Sequence, residues 1–254
     1  MNFYICALEA TIFSILIFFL WKKQWIKGRE YLLLYIFISL PLSALVNIFV
    51  KGPIFIYLLK IFNIGEGAKW PLWFLFVISI IGPLCEEVIK ILPLIIMLKI
   101  ASMDGLKIYL LGMLLGIGFG IGEAFYLGYS FTIAMPEYIS GLKNLLLVSS
   151  GFGGERLLAI TIHWFLTATV AFGIVMKKPI RYFSLAVLLH FLINIPACLY
   201  QDYGMPAQIC GVLTVIIFLV LFFSVFLKIE ERVRLGYEKP ASQKEEKVLY
   251  ERRD

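Results

Sequence analysis

The sequence predicts an all-α fold: a polytopic transmembrane helical bundle of about seven spans, with its N-terminus outside and its C-terminus inside. Three observations predict it. Hydrophobic residues make up 61% of the chain and charged residues 16%, with a mean hydropathy of +0.91; average soluble domains are roughly 45–50% apolar and about 25% charged. Runs of about 20 apolar residues, each long enough to cross the hydrocarbon core, recur from end to end. Lys and Arg gather in short clusters between those runs, where membrane proteins place them to set orientation. This composition excludes a water-soluble globular enzyme and a disordered chain, which would lack the apolar mass. The net charge of +6 does not point to nucleic acid, because the basic residues flank spans instead of forming a patch.

The opening residues MNFYICALEA carry no basic region and no small-residue cleavage site follows, so no removable signal peptide is expected. A first span is expected over Phe3–Leu20 and a second over Tyr31–Val50, separated by Lys22, Lys23, Lys27 and Arg29. Ile54–Ile64 is too short to cross and is expected to lie in the interface. The third span, Pro71–Lys99, is long enough to tilt or break, with Pro83 and Pro93 as the places. The fourth, Lys107–Tyr129, carries two glycine stripes: Gly112, Gly116 and Gly120 on one side, Gly118 and Gly122 on another. Small residues at that spacing let helix backbones approach closely. The glycines do not read as a nucleotide loop, since strand context and a Lys-Ser/Thr ending are missing. Phe131–Glu155 is the one sizeable loop. Spans over Arg156–Met176, Pro179–Leu199 and Ala207–Leu227 complete the set. Residues 1–227 thus read as one transmembrane domain, and 228–254 as a charged, solvated cytosolic tail with eight basic and seven acidic residues.

With the N-terminus outside, 17 Lys and Arg fall inside and five outside (Lys51, Lys60, Lys69, Lys143 and Arg156). Lys90, left within the membrane, completes the 23. Without the long tail the ratio is still nine to five, so the N-out arrangement and a cell-membrane location follow. Four cysteines, Cys6, Cys85, Cys198 and Cys210, show no CxxC pair and read as small buried hydrophobes. No internal repeat of 20–50 residues stands out, which weakens a repeat-built transporter.

Ionisable groups at mid-membrane are costly, so each marks a functional hypothesis. They are Glu86, Glu87 and Lys90 in the third span, Glu123 in the fourth, His163 in the fifth and His190 in the sixth, with Asn194 beside it. Both histidines of the chain are among them. Glu9 is a further acidic candidate that can reach the interface. At 1.5 Å per residue, Glu123 and His163 lie roughly 9–10 Å below the outer ends of their spans, and His190 roughly 12–14 Å. Glu86 and Glu87 sit near the middle of theirs, so all can meet in one layer. Lys90 is i+4 from Glu86 and i+3 from Glu87, able to pair with either. His190 and Asn194 share a face, as do His163 and Thr167, with Arg156 two turns from His163 on the same side.

Taken one at a time, these groups have plainer readings. The Glu-Glu-Lys set can be a buried salt bridge locking helices, and His190 with Asn194 can be interhelical hydrogen-bond glue. Glu123 can be a proton-relay carboxylate, and His163 a packed histidine. Stability alone does not require five such groups at one depth.

Glu86-Glu87-x-x-Lys90, Phe119-x-x-x-Glu123, the mid-membrane His163 and His190-x-x-x-Asn194 together resemble the glutamic-type intramembrane protease superfamily. That superfamily includes the CAAX-processing and bacteriocin-associated enzymes and the PrsW and YhfC branches. The CAAX branch shows EExxxR, FxxxH and HxxxN or HxxxB; this chain differs in EExxK and in carrying Glu123 at the second motif. Those differences are similar to PrsW. The stretches around Glu155-Arg156 to His163, and Leu189-His190 to Gln201, look more like YhfC. The resemblance spans about residues 80–201.

The resemblance implies an endopeptidase acting on a membrane-embedded or lipid-anchored protein within the bilayer. It favours Glu86 as the base that activates water, with Glu87 supporting. The residue types fit independently, since peptide hydrolysis needs a base, a proton donor and an oxyanion donor. Lys90 helps keep a glutamate ionised, Glu123 and His163 hold water or deliver the proton, and His190 with Asn194 suit an oxyanion. A cysteine route through Cys85 lacks a base. Metal-free chemistry without a cofactor is the favoured expectation. The same cluster (Glu86, Glu123, His163 and His190) can instead ligate zinc, although no HExxH spacing is present. A transporter or proton-coupled carrier using the carboxylates as relays is the non-enzymatic alternative, and a catalytically silent binder of small membrane proteins a third.

Overall fold

The structure is a computed structural model that describes residues 2–64, 70–134 and 149–238. Among them, seven helices are long and apolar enough to cross a membrane, and no strand occurs. We number them α1 (Asn2–Ile26), α2 (Glu30–Ile61), α3 (Leu72–Ile100), α4 (Gly105–Ala134), α5 (Gly154–Val175), α6 (Pro179–Tyr203) and α7 (207–238). The chain is a multi-pass integral membrane protein. Large apolar side chains such as Phe37, Phe49 and Ile180 stand exposed on the outer helices, where lipid replaces water as their surroundings.

α4 is the buried axis of the bundle, with α5 beside it. The two glycine stripes of α4 serve two neighbours. At Gly116 a Cβ would run into the backbone of His163 and Trp164, and at Gly120 it would lie 2.7 Å from Ile160 Cα, so this stripe seats α5. At Gly118 and Gly122 it would strike the carbonyls of Ile36 and Leu40, so the other stripe seats α2. Backbones at that separation require residues without a side chain. α1 packs against α4 and α5, and α6 against α3, α5 and α7.

Several boundaries differ from the sequence expectation. Ile54–Ile64 is not a separate interfacial segment: residues 52–61 continue α2 through a widened turn over Asn47–Lys51. In that turn the N–H of Gly52 reaches back five residues to Asn47. Pro53 lacks an N–H and crowds the preceding turn, and the wider turn just before it lets the helix continue. α3 does not break; Pro83 and Pro93 both lie inside one helix. Its 29 residues span ~43 Å, longer than the ~30 Å hydrocarbon core, so tilt is the accommodation.

α1 runs on to Ile26, and Lys22, expected in a loop, is buried inside the fold. The segment from Lys228 begins as helix, not as a solvated tail. Ile229 is buried and Glu230 pairs with Lys22, whose ammonium lies over the rings of Trp21 and Trp25. The loop expected over Phe131–Glu155 is helical at both ends, through Ala134 and again from Ser149. Residues 135–148 and 239–254 lie outside the described residues, as do Lys69 and Lys143 of the charge count.

Candidate active site

Two adjacent turns of α3 carry the acidic and basic groups inward. Glu86, Glu87 and Lys90 are all buried, and the i+3 and i+4 spacings place the ammonium between the two carboxylates. Lys90 Nζ lies 2.7 Å from Glu87 Oε1 and 3.7 Å from Glu86 Oε2. Its third neighbour is Nδ1 of His163 on α5, at 2.8 Å, and it sits over the ring of Phe119 at 4.6 Å. Phe119 and Glu123 are one turn apart on α4, held against α5 by the Gly116–Gly120 stripe.

Each histidine has a carboxylate on one ring nitrogen. His163 Nε2 is 3.1 Å from Glu123 Oε2, and His190 Nδ1 on α6 is 2.9 Å from Glu87 Oε1. A carboxylate accepts, so these nitrogens carry the protons and donate. Of the opposite nitrogens, His163 Nδ1 accepts from the Lys90 ammonium, and His190 Nε2 faces Glu86. His190 Nε2 lies 3.7 Å from Glu86 Oε2, a buried oxygen with no hydrogen-bond partner. The two rings meet edge to face at 5.2 Å. Carboxylate–histidine pairs of this kind fix tautomer and ring orientation around metal sites and catalytic groups alike.

A further cation bounds each outer carboxylate. Arg156 Nη1 donates to Glu123 Oε2 at 3.0 Å and also chelates Glu155. Lys51 Nζ donates to Glu86 Oε1 at 2.6 Å. The network thus holds Glu86, Glu87 and Glu123 against Lys51, Lys90 and Arg156, with both histidines between them. Such balance is what allows this many charges to be buried together.

Sequence reasoning anticipated Glu86, Glu87, Lys90, Glu123, His163, His190 and Arg156, and the structure brings all seven into one network. Asn194 stands apart from it, half-buried on the wall of a cavity of about 320 Å³ that Glu86 also lines. Thr167 donates to the carbonyl of His163 and so serves its own helix. Cys85 is half-buried and does not line the cavity. Glu9 is exposed.

Lys51 is the residue that sequence reasoning missed. Standing before Gly52-Pro53, it reads as the end of a span, and the charge count assigned it to an outer loop. The only signal was its place in a stretch from Leu45 to Leu59 that is apolar but for Asn47.

Glu86, His163 and His190 meet the geometric requirement for a shared metal ion, with one ligating atom from each within 4.8 Å of the others and all three buried. Glu123 is outside this trio, its Oε2 held by Arg156 and His163. The buried orphan oxygen of Glu86 and the carboxylate-oriented imidazoles fit a zinc ligand set. A buried Glu/His/His cluster in a membrane-embedded all-α bundle has catalytic or metal-binding potential of the kind intramembrane proteolysis needs. No protein-family model, curated protein or solved structure matches this chain.

Proposed function

We propose that this chain is an intramembrane endopeptidase acting on a membrane-embedded or lipid-anchored protein, and that Glu86, His163 and His190 hold a divalent ion, zinc fitting best. The observation that carries the reading is the convergence of those three buried side chains, with ligating atoms within 4.8 Å of one another. When bound, zinc supplies a Lewis acid that polarises a carbonyl and acidifies water at neutral pH.

The residues of the chain perform the rest. Glu87 and Glu123 hold the two imidazoles by their outward nitrogens, and Arg156 fixes Glu123. Glu86 faces the cavity through Oε1 and the cluster through Oε2, so it is the member that an entering peptide meets. The surrounding helices exclude bulk water, which strengthens every charge interaction at the reacting bond. The superfamily resemblance implies His190 with Asn194 as donors to the carbonyl oxygen; Asn194 lines the cavity and remains a candidate, whereas His190 stands behind it with Nδ1 directed to Glu87. Within the superfamily, the PrsW-like and YhfC-like branches are equally served by this residue set.

One observation favours a second, metal-free reading. The ammonium of Lys90 already lies among His163 Nδ1, Glu87 Oε1 and Glu86 Oε2, and the carboxylates are balanced by lysines and arginine. There Glu86 takes the proton of a water that attacks the peptide carbonyl, and passes it to the leaving amine.

Purified protein in detergent, assayed on a quenched-fluorescent single-span reporter, separates the readings. Loss of cleavage on chelation with recovery on zinc, together with about one zinc per chain by mass spectrometry of the metal, supports the first. Cleavage that resists chelation and is lost in Glu86→Gln supports the second. Solute flux in liposomes without any cleavage by the wild-type protein would replace both with the carrier reading.

A further inference from the structure

The cavity beside the buried cluster is lined from α2, α3, α4 and α6. Of the carboxylates and histidines in the network, only Glu86 reaches its wall. His163, His190 and Glu87 stand behind it. A peptide bond brought to the cluster therefore arrives from this cavity, beside Glu86 Oε1. The nearest cation there is not in any of the four helices that carry the recognised motifs. It is Lys51 of α2, which lines the same cavity and holds Glu86 Oε1 at 2.6 Å.

Two features aim Lys51 at this place. It ends the widened helical turn Asn47–Lys51, and such single wide turns re-aim side chains at functional sites. Its stem then crosses α3 at Gly82, where a Cβ would sit 3.6 Å from Lys51 Cε. The lysine side chain keeps 27% of its exposure, whereas Lys90 has none. An ammonium has three donors, and Glu86 takes one of them. His190, by contrast, directs Nδ1 to Glu87 and does not line the cavity.

We propose that Lys51 is a further catalytic residue, the donor that receives the carbonyl oxygen of the scissile peptide, with Asn194 across the cavity from it. The proposal rests on the protease reading above and holds with or without a metal ion. In the reaction, the water oxygen bonds to the carbonyl carbon and the C=O pair moves onto oxygen. The water proton passes to a carboxylate of the cluster and then to the amide nitrogen as the C–N bond breaks and the C=O re-forms. Lys51 keeps its own protons throughout. It carries the negative charge on oxygen between the two steps, an interaction stronger in the transition state than with the neutral carbonyl.

The test compares wild type, Lys51→Met, Lys51→Arg and Glu86→Gln as full-length purified protein on the quenched-fluorescent single-span reporter. Loss of one oxyanion donor costs about 100- to 1,000-fold in kcat. Lys51→Met is expected to lose at least 100-fold in kcat with KM changed less than about threefold. Lys51→Arg should recover at least tenfold of that loss. A phosphinic peptide that mimics the tetrahedral state should bind Lys51→Met more weakly by the same factor, while the uncleaved peptide binds as before. Lys51→Gln, which keeps a donor without the charge, replaces the Met variant if that one does not fold, and should fall between Arg and Met. Lys51→Met with kcat within threefold of wild type, or a rise in KM alone, overturns the proposal and leaves the protease reading standing. Wild-type protein that never cleaves the reporter overturns both.

Discussion

The ammonium of Lys90 lies 2.8 Å from Nδ1 of His163, a nitrogen that faces the interior because Glu123 holds the other one. A cation already stands where a metal ion would find its histidine. An ion taking His163 Nδ1 must displace Lys90 and must also enter against its charge. At ~4 Å and an effective dielectric of about 20, two unit charges interact by about 4 kcal/mol.

Lys90→Met is therefore expected to bind zinc at least tenfold more tightly than wild type, as read by competition with a chromophoric chelator. Removal of the ammonium leaves Glu87 short of a partner, at a cost of about 3–5 kcal/mol when one side of a buried pair is removed. The melting temperature is measured alongside, and Glu87→Gln on the same background is expected to restore part of it. Unchanged zinc affinity in both variants would count against the Glu86/His163/His190 ligand set.

Gly116→Ala is expected to lower stability by about 1–3 kcal/mol, the usual range for overpacking. Its Cβ would lie 2.7 Å from Trp164 Cα and still closer to the carbonyl of His163. Because that backbone carries the site histidine, activity should fall further than stability alone explains. Gly236→Ala, where no atom lies within 4 Å of the new Cβ, is the neutral control. Thermal unfolding in detergent and reporter cleavage measure both.

Much of this arrangement was legible because polar residues in apolar helices are rare and costly. Glu86, Glu87, Lys90, Glu123, His163 and His190 stood out individually, and helix rise alone brought them to one depth. The two glycine stripes named two close contacts on α4 without naming the partners. Lys51 was hidden by Gly52-Pro53, which imitates a span end, since sequence does not show that a wide turn carries the helix past a proline. Lys22 and Glu230 were hidden for a different reason. Each looks like an ordinary flanking charge, and only the packing of α1 against the start of the C-terminal helical extension reveals them as a pair.

That pair is expected to behave as a buried lock between the ends of the chain. Lys22→Met alone leaves the half-buried Glu230 without its cation, and Glu230→Gln leaves the buried Lys22 inside its indole cage without its anion. Each single change should cost about 3–5 kcal/mol. Lys22→Met combined with Glu230→Leu removes both charges and should recover most of the loss. A double-mutant cycle of thermal stabilities gives the coupling; strictly additive losses would reduce the contact to two independent packing effects.

The cavity lies in the half of the bundle that contains the N-terminal end of α1, since Phe3 packs against Gly128 of α4, two residues beyond the cavity residue Tyr126. The distribution of charge predicts which side of the membrane this is. Lys22, Lys51 and Arg156 are engaged inside the fold and no longer bear on orientation. Without them and without the tail, Lys and Arg stand eight to three in favour of the N-out arrangement, a stronger bias than the nine to five with them counted in. The site is therefore expected to open to the outer half of the bilayer. Asn63, exposed after α2, and Lys178, exposed between α5 and α6, lie at opposite ends of the bundle. In intact cells, Asn63→Cys should react with an impermeant thiol reagent, and Lys178→Cys only after permeabilisation, each against the wild-type background. The reverse pattern would turn the cavity toward the cytosol, where its substrates would be lipid-anchored tails on the inner leaflet.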